Sequence, residues 1–218
     1  MPRLMPLELV HKVDHLLLEP QLSRREIEAG CQSAIGLDCY AVVVKPHYIE
    51  LARKVLKDTR VKVISVVGFP HGGATTATKM FETQDVLQRG ADEVEMVINL
   101  GALRDGEDLV VKNDILSVVR VARGHPITVI LETCYLTDEE KARACKIAEA
   151  AGAEYVKTAT DFCGEGVSVA DVRLLRAASS NLKLKAAGGI ATRQAAREMI
   201  EAGAARIATR CTEKIAEE

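Results

Sequence analysis

Short runs of apolar residues alternate along this chain with longer stretches whose apolar positions recur at helical spacing. Val13-Asp-His-Leu-Leu-Leu18 reads as a first strand, stopped by Glu19-Pro20, and Ser23-Arg-Arg-Glu26 is a capping box that opens a helix to about Gly36. Cys39 to Val44 is a continuous apolar strand, followed by a helix from about Tyr48 to Lys57 and a third strand from Val61 to Val67. A loop, Gly68-Phe-Pro-His-Gly-Gly73, precedes a helix from Thr75 to Arg89 that Gly90 ends. Ala91 to Ile98 reads as the fourth strand, Glu107 to Arg123 as a helix and Ile127 to Leu131 as the fifth strand. Thr137 caps a helix closed by Gly152, Lys157 ends the sixth strand, Ser168 opens another helix and Lys185 ends the seventh strand. Thr192 to Ala202 is the next helix and Ala205 to Ala208 the eighth strand.

Most of these strands are apolar through their centres, as parallel strands covered on both faces must be. The junctions Gly90-Ala91, Gly152-Ala153 and Gly203-Ala204 repeat one helix-to-strand connection, so one unit recurs. Eight such units predict an α/β fold in which residues 1–218 form one closed (β/α)8 TIM barrel domain, with an open doubly wound sheet as the alternative. The first strand lacks a GxGxxG turn after it, which argues against a dinucleotide site.

Composition narrows the partners. The 29 basic and 31 acidic residues leave a net charge of −2, which favours neither nucleic acid nor an anionic membrane. Aromatic residues make up only 3% and Trp is absent, too few for base-stacking platforms. No apolar run is long enough to span a bilayer, and Met1 to Glu8 lacks the apolar centre of a secretion signal. The six cysteines form no CxxC pair and the histidines are scattered, so reduced thiols and a cytoplasmic location are expected rather than disulfides or zinc.

Two runs place lysine where burial makes it costly: Ala153-Glu-Tyr-Val-Lys157-Thr-Ala-Thr160 and Leu182-Lys-Leu-Lys185-Ala-Ala-Gly-Gly189. Strand ends of a barrel converge on one mouth, where they would assemble Asp14, Glu95, Asn99, Glu132, Lys157, Thr160 and Lys185. A free lysine has a pKa of about 10.4, so roughly three units must be removed before it acts as a nucleophile near neutrality. Two ammonium groups about 6 Å apart repel by about 2.8 kcal/mol at an effective dielectric of ~20, or roughly two units. Partial burial can supply the rest. The pair therefore suffices for one amine that attacks carbonyls and one that stays charged, with Glu95 moving protons. A single lysine at a strand end fits a buried ion pair as well; two on adjacent strands point to function. Lys183 shares the parity of Lys185 but lies toward the opposite end of the strand, which gives it a structural or solvent role.

Several segments carry a specific resemblance. Val13-Asp-His, Val66-Val-Gly-Phe-Pro-His-Gly72, Gly90 to Asn99, Ile130-Leu-Glu-Thr133, Tyr155 to Thr160 and Leu184 to Ile190 are similar, in order, to the motifs of the deoxyribose-phosphate aldolase family. The resemblance covers nearly the whole chain. It implies a class I aldolase on a (β/α)8 barrel, reversibly joining acetaldehyde to glyceraldehyde 3-phosphate with no metal and no cofactor. It further implies Lys157 as the Schiff-base lysine, Lys185 as its partner, Glu95 at the proton-relay position and Asp14 in the lysine network. Small aldehydes and sugar phosphates are the implied partners, and a homodimer is common in the family.

The departures from the family pattern cluster at the substrate. Glu95 stands where the family has aspartate, Leu16 where it has threonine, Val43 where it has cysteine and Lys45 where it has asparagine. Asp161 replaces a glycine after the lysine motif, and Ala208-Thr-Arg-Cys211 replaces a Gly-x-Ser-Ser stretch that holds phosphate. Gly188-Gly189 still offers a tight turn before a helix, a usable anion site, and Arg210 can add a bidentate contact. The expected substrate-binding residues are thus Asp14, Thr160, Gly188, Gly189, Thr209 and Arg210. Asp161 would set negative charge beside a phosphate, so an aldolase of the same chemistry that prefers an unphosphorylated or different acceptor aldehyde is an alternative. A barrel that binds a sugar phosphate without turnover is another.

Overall fold

The computed structural model describes residues 6–164 and 166–217. The stretch 1–5, part of the segment read above as lacking a secretion signal, lies outside the described residues. Helix α1 (Pro6–Val10) leads into β1 (Val13–Leu17), then α2 (Arg24–Gly36), β2 (Ala41–Val44), α3 (Ile49–Val55) and β3 (Lys62–Val67). The alternation continues with α4 (Thr76–Gln88), β4 (Glu93–Val97), α5 (Leu100–Arg104), α6 (Asp108–Val121), β5 (Ile127–Ile130) and α7 (Asp138–Ala150). It ends with β6 (Tyr155–Lys157), α8 (Val169–Ala178), β7 (Lys183–Ala187), α9 (Arg193–Glu201), β8 (Arg206–Thr209) and α10 (Thr212–Glu217).

The strands pair in parallel in chain order, and β8 returns to β1 through Val13↔Ile207, Asp14↔Ala208 and His15↔Thr209. The sheet is a closed barrel, which excludes the open doubly wound alternative.

Local chemistry explains the boundaries. Ser23 with Glu26, Thr137 with Glu140 and Ser168 with Asp171 each form a reciprocal capping box that satisfies free N–H groups at a helix start. The repeated junctions share one closure. The N–H groups of Ala91, Ala153 and Ala204 donate five residues back to Val86, Ala148 and Met199. The preceding glycines take positive φ, 107° at Gly90, 86° at Gly152 and 117° at Gly203, the left-handed conformation that a Schellman ending requires.

Three short helices, α1, α5 and α10, add to the elements read from the sequence. α5 has only five residues, too short for an apolar repeat to show, and it begins where Asn99 accepts from the Ala102 N–H at 3.2 Å. Asn99, expected among the groups at the mouth, is therefore spent on a helix cap. Lys185 is not the last residue of its strand either: β7 runs on to Ala187, whose N–H and C=O are both held by the Thr158 hydroxyl.

Alternation along the strands sorts side chains into two regions. One apolar set, including Val42, Val63, Met96, Val129 and Ile207, packs between strands and helices. A smaller set, Leu16, Leu18, Ala41, Val43, Ile64, Val66, Ala187 and Ala208, lies inside the barrel. The interior is thus apolar along β2, β3 and the later part of β1, while Asp14 on β1 and residues of β4, β6, β7 and β8 bring charges into it. All six cysteines are free. Among the described residues no helix is long and apolar enough to cross a membrane.

Candidate active site

Residues of equal parity on β4, β6, β7 and β8 face inward, and that places Glu93, Glu95, Tyr155, Lys157, Lys185 and Arg206 within the barrel. Lys157 and Lys185 are register partners on adjacent strands, and both are fully buried. Glu95, also fully buried, lies between their amines: Lys157 Nζ donates to Oε2 at 2.6 Å and Lys185 Nζ to Oε1 at 2.9 Å. The repulsion inferred for a bare lysine pair is therefore offset by a carboxylate shared between them.

Deeper in the barrel, Arg206 completes the network. Its Nε and Nη2 donate to Asp14 Oδ1 at 2.9 and 2.5 Å, and its Nη1 donates to Glu93 Oε2 at 2.8 Å. Its guanidinium lies 3.7 Å from the centroid of the Tyr40 ring. Lys185 lies 3.4 Å from Asp14 Oδ2 and 3.3 Å from Glu93 Oε2. Three carboxylates (Asp14, Glu93, Glu95) thus balance three cations (Lys157, Lys185, Arg206). An isolated buried ion would cost several kcal/mol, and only such balance lets six occupy one barrel. Asp14, placed at the mouth by the sequence reading, sits near the start of β1 beneath the lysines.

The two lysines are not equivalent. Lys185 faces three carboxylates and the Tyr155 ring at 4.9 Å, whereas among the described residues Lys157 is ion-paired with Glu95 alone. Burial works to lower the Lys185 pKa, but Glu95, Asp14 and Glu93 outweigh it and raise the value.

Burial pushes the Glu95 carboxyl up, but the two lysines outweigh it and hold its pKa at about 2, from 4.5. A carboxylate with a depressed folded-state pKa contributes stability above the unfolded value and loses it as pH falls through the folded one. About 3 kcal/mol of stability should therefore disappear between pH 4.5 and about 2 from this group. Denaturant titrations at pH 7, 4.5 and 2 check this; equal unfolding free energies at all three would contradict it.

Other expected groups lie around the mouth. Glu132 has left-handed backbone (φ 50°) and accepts from the Thr160 hydroxyl and, at 3.2 Å, from the Thr160 N–H. Its pKa is raised, chiefly by burial, with the Thr160 hydrogen bonds opposing. Gly188 (φ 113°) and Gly189 (φ 69°) make the turn after β7, and a Cβ on Gly188 would sit 3.1 Å from the Val167 nitrogen. Thr209 is buried and donates to the Ile190 carbonyl at 2.6 Å, tying the end of β8 to that turn. Arg210 is paired with Asp161. Lys183, at the opposite end of β7 from the mouth, is exposed and pairs with Glu154 at 2.8 Å.

Arg206 and Glu93 are the members of the network that were not read from the sequence. Their signal was parity: Glu93 precedes Glu95 by two, and Arg206 precedes Ala208 and Arg210 by two and four.

A cavity of about 350 Å3 opens at the mouth, lined by Leu18, Lys45, Val66, Phe69, Glu82 and Phe162 among others. Phe69 and Phe162 meet edge to face there, with ring centroids 5.3 Å apart. A second, of about 250 Å3, is lined by residues including Asp161, Cys163, Gly166, Gly188 and Gly189. A larger depression of about 410 Å3, bordered by Gln88, Val121 and His125, lies at the opposite end of the barrel, away from the lysines. Among the described residues, no group of three or more His, Cys, Asp and Glu side chains is arranged to hold a metal ion.

A closed parallel barrel with a buried lysine pair at its carboxyl-end mouth defines an aldehyde-lyase of the aldolase class. The profile of the DeoC/LacD family aldolases matches residues 10–210, and the chain belongs to that family. It is similar to the deoxyribose-phosphate aldolase of Thermococcus kodakarensis, 48% identical over 215 residues that cover 96% of each chain. That of Dictyoglomus turgidum is 47% identical over 203 residues, 93% of each chain. Among solved structures, the tetrameric deoxyribose phosphate aldolase of Aeropyrum pernix superposes with a TM-score of 0.92 at 28% identity. That superposition covers 98% of this chain and 91% of the other.

Proposed function

We propose that this chain is a class I aldolase that reversibly cleaves 2-deoxy-D-ribose 5-phosphate to acetaldehyde and D-glyceraldehyde 3-phosphate. The observation that carries the reading is the shared carboxylate: Glu95 bridges Lys157 and Lys185, and Lys157 is held by the fewer anions. In this reading Lys157 attacks the substrate carbonyl and, with loss of water, becomes a protonated imine. As the bond between C2 and C3 breaks, its electrons flow to the positive imine nitrogen, the C3 hydroxyl gives up its proton and D-glyceraldehyde 3-phosphate departs. The enamine left behind takes a proton and is hydrolysed to release acetaldehyde. Glu95 is within 3 Å of both amines and can relay that proton while Lys185 keeps its own charge. Asp14 and Arg206 position Lys185 from below.

In this reading the phosphorylated end of the substrate is received near Thr160, Thr209, the Gly188-Gly189 turn and Arg210. The identity to named aldolases over nearly the full chain supports the same substrate class. A role in deoxyribonucleotide catabolism, a cytoplasmic location and a homodimer belong to this reading. Exposed Phe81 and Leu109, on the neighbouring helices α4 and α6, supply apolar surface for self-association.

Borohydride reduction in the presence of acetaldehyde tests the chemistry directly. The expected product is a stable N-ethyl adduct on Lys157, found by peptide mass spectrometry. A folded protein that yields no adduct would favour the non-catalytic barrel.

A further inference from the structure

The anion-binding groups at the barrel rim are already engaged by a carboxylate of the chain itself. Asp161 follows the lysine strand by four residues and takes left-handed backbone (φ 69°), a conformation that Asp tolerates better than most residues. Its Oδ1 accepts from the Gly189 N–H at 3.0 Å. Its Oδ2 accepts from Arg210 Nε at 2.9 Å and Nη2 at 2.6 Å, and its carbonyl accepts from Nη2 at 2.9 Å. The side chain of Asp161 is only 14% exposed, while that of Arg210 remains 43% exposed. A glycine N–H at a turn and an arginine fork are the donors a phosphate monoester uses; Asp161 and Gly189 line the cavity of about 250 Å3, and Arg210 meets it through Asp161.

We propose that Asp161 is a specificity-determining residue, its carboxylate filling the anion subsite of Gly189 and Arg210 and competing there with the phosphate of the substrate. The inference rests on the aldolase reading for its substrate and deepens it. A phosphorylated acceptor must displace the carboxylate and then lie beside it, so its apparent affinity falls by the fraction of molecules in which the subsite is open. An acceptor ending in a neutral hydroxyl meets no such competition. The enzyme therefore discriminates less between phosphorylated and unphosphorylated sugars than an aldolase with an open subsite. Glu19 Oε1, 3.6 Å from Arg210 Nη1, adds a second, weaker internal claim on the same guanidinium.

The test uses inorganic phosphate as the probe on the intact chain. Asp161→Gly suits the left-handed backbone and removes the carboxylate; Asp161→Asn keeps its shape and the bond to Gly189 but removes its charge. Both are expected to tighten phosphate binding, Asp161→Gly by about tenfold, and adding Arg210→Gln should cancel the gain. In parallel, the ratio of kcat/KM for 2-deoxyribose 5-phosphate over 2-deoxyribose should rise about tenfold in Asp161→Gly. Phosphate affinity within twofold of the parent in both single variants overturns the proposal, as does a tighter phosphate with an unchanged ratio. Failure to trap acetaldehyde on Lys157 in the parent would sink the aldolase reading separately, because the phosphate titration does not depend on turnover.

Discussion

Replacing Lys157 with methionine is expected to abolish turnover, lowering kcat by at least about 10^4. Methionine keeps the unbranched shape and fills the buried site, but it has no amine to carry the substrate as an imine. The fold should survive. Glu95 retains Lys185 at 2.9 Å, and Lys185 retains Asp14 and Glu93, so the remaining charges still have partners. The measurement is a retro-aldol assay with thermal unfolding as the control. Activity within tenfold of the parent, or an acetaldehyde adduct relocated to Lys185, would assign the nucleophile wrongly.

Glu95→Gln should produce the second large effect, and in two quantities at once. The amide cannot take up the proton that the relay requires, so kcat should fall by about 10^2 to 10^3. It also leaves two buried ammonium groups facing a neutral side chain. Removing one member of a buried charge network costs about 3–5 kcal/mol, and this network loses the anion common to both lysines. Among the described residues Lys185 keeps two ion-paired carboxylates, whereas Lys157 loses the carboxylate it is paired with, so the cost falls mainly on Lys157. The acid-dependent loss of stability attributed to Glu95 should shrink in the same protein. Denaturant unfolding and steady-state kinetics read both effects; a variant as stable as the parent would mean that the bridge contributes little.

These expectations differ in how far they could be reached from the chain alone. The lysine motif and the carboxylate at position 95 stand out in the sequence because charged residues rarely interrupt apolar strands. That Glu95 contacts both lysines depends on β4 lying across the barrel from β6 and β7, and no local pattern conveys that distance. Arg206 shows the same limit. Its parity places it inside, but its partners, Asp14 and Glu93, are 192 and 113 residues away. Asp161 was legible as an unusual charge near a phosphate-binding turn. Its pairing with Arg210, 49 residues later, was not.

The sequence by itself determined the alternation of eight strands with helices, their caps and glycine closures, and which residues of each strand face inward. These follow from contacts a few residues long: a hydroxyl reaching the third N–H of a helix, a glycine taking positive φ, side chains alternating with period two. Tertiary structure decided the rest. Closure of β8 on β1 brought Asp14 to Arg206, set both beneath the lysines rather than at the mouth, and made a neutral six-charge cluster. The reason is physical: the cost of a buried charge depends on every other charge within a few ångströms, and only the folded barrel fixes those distances.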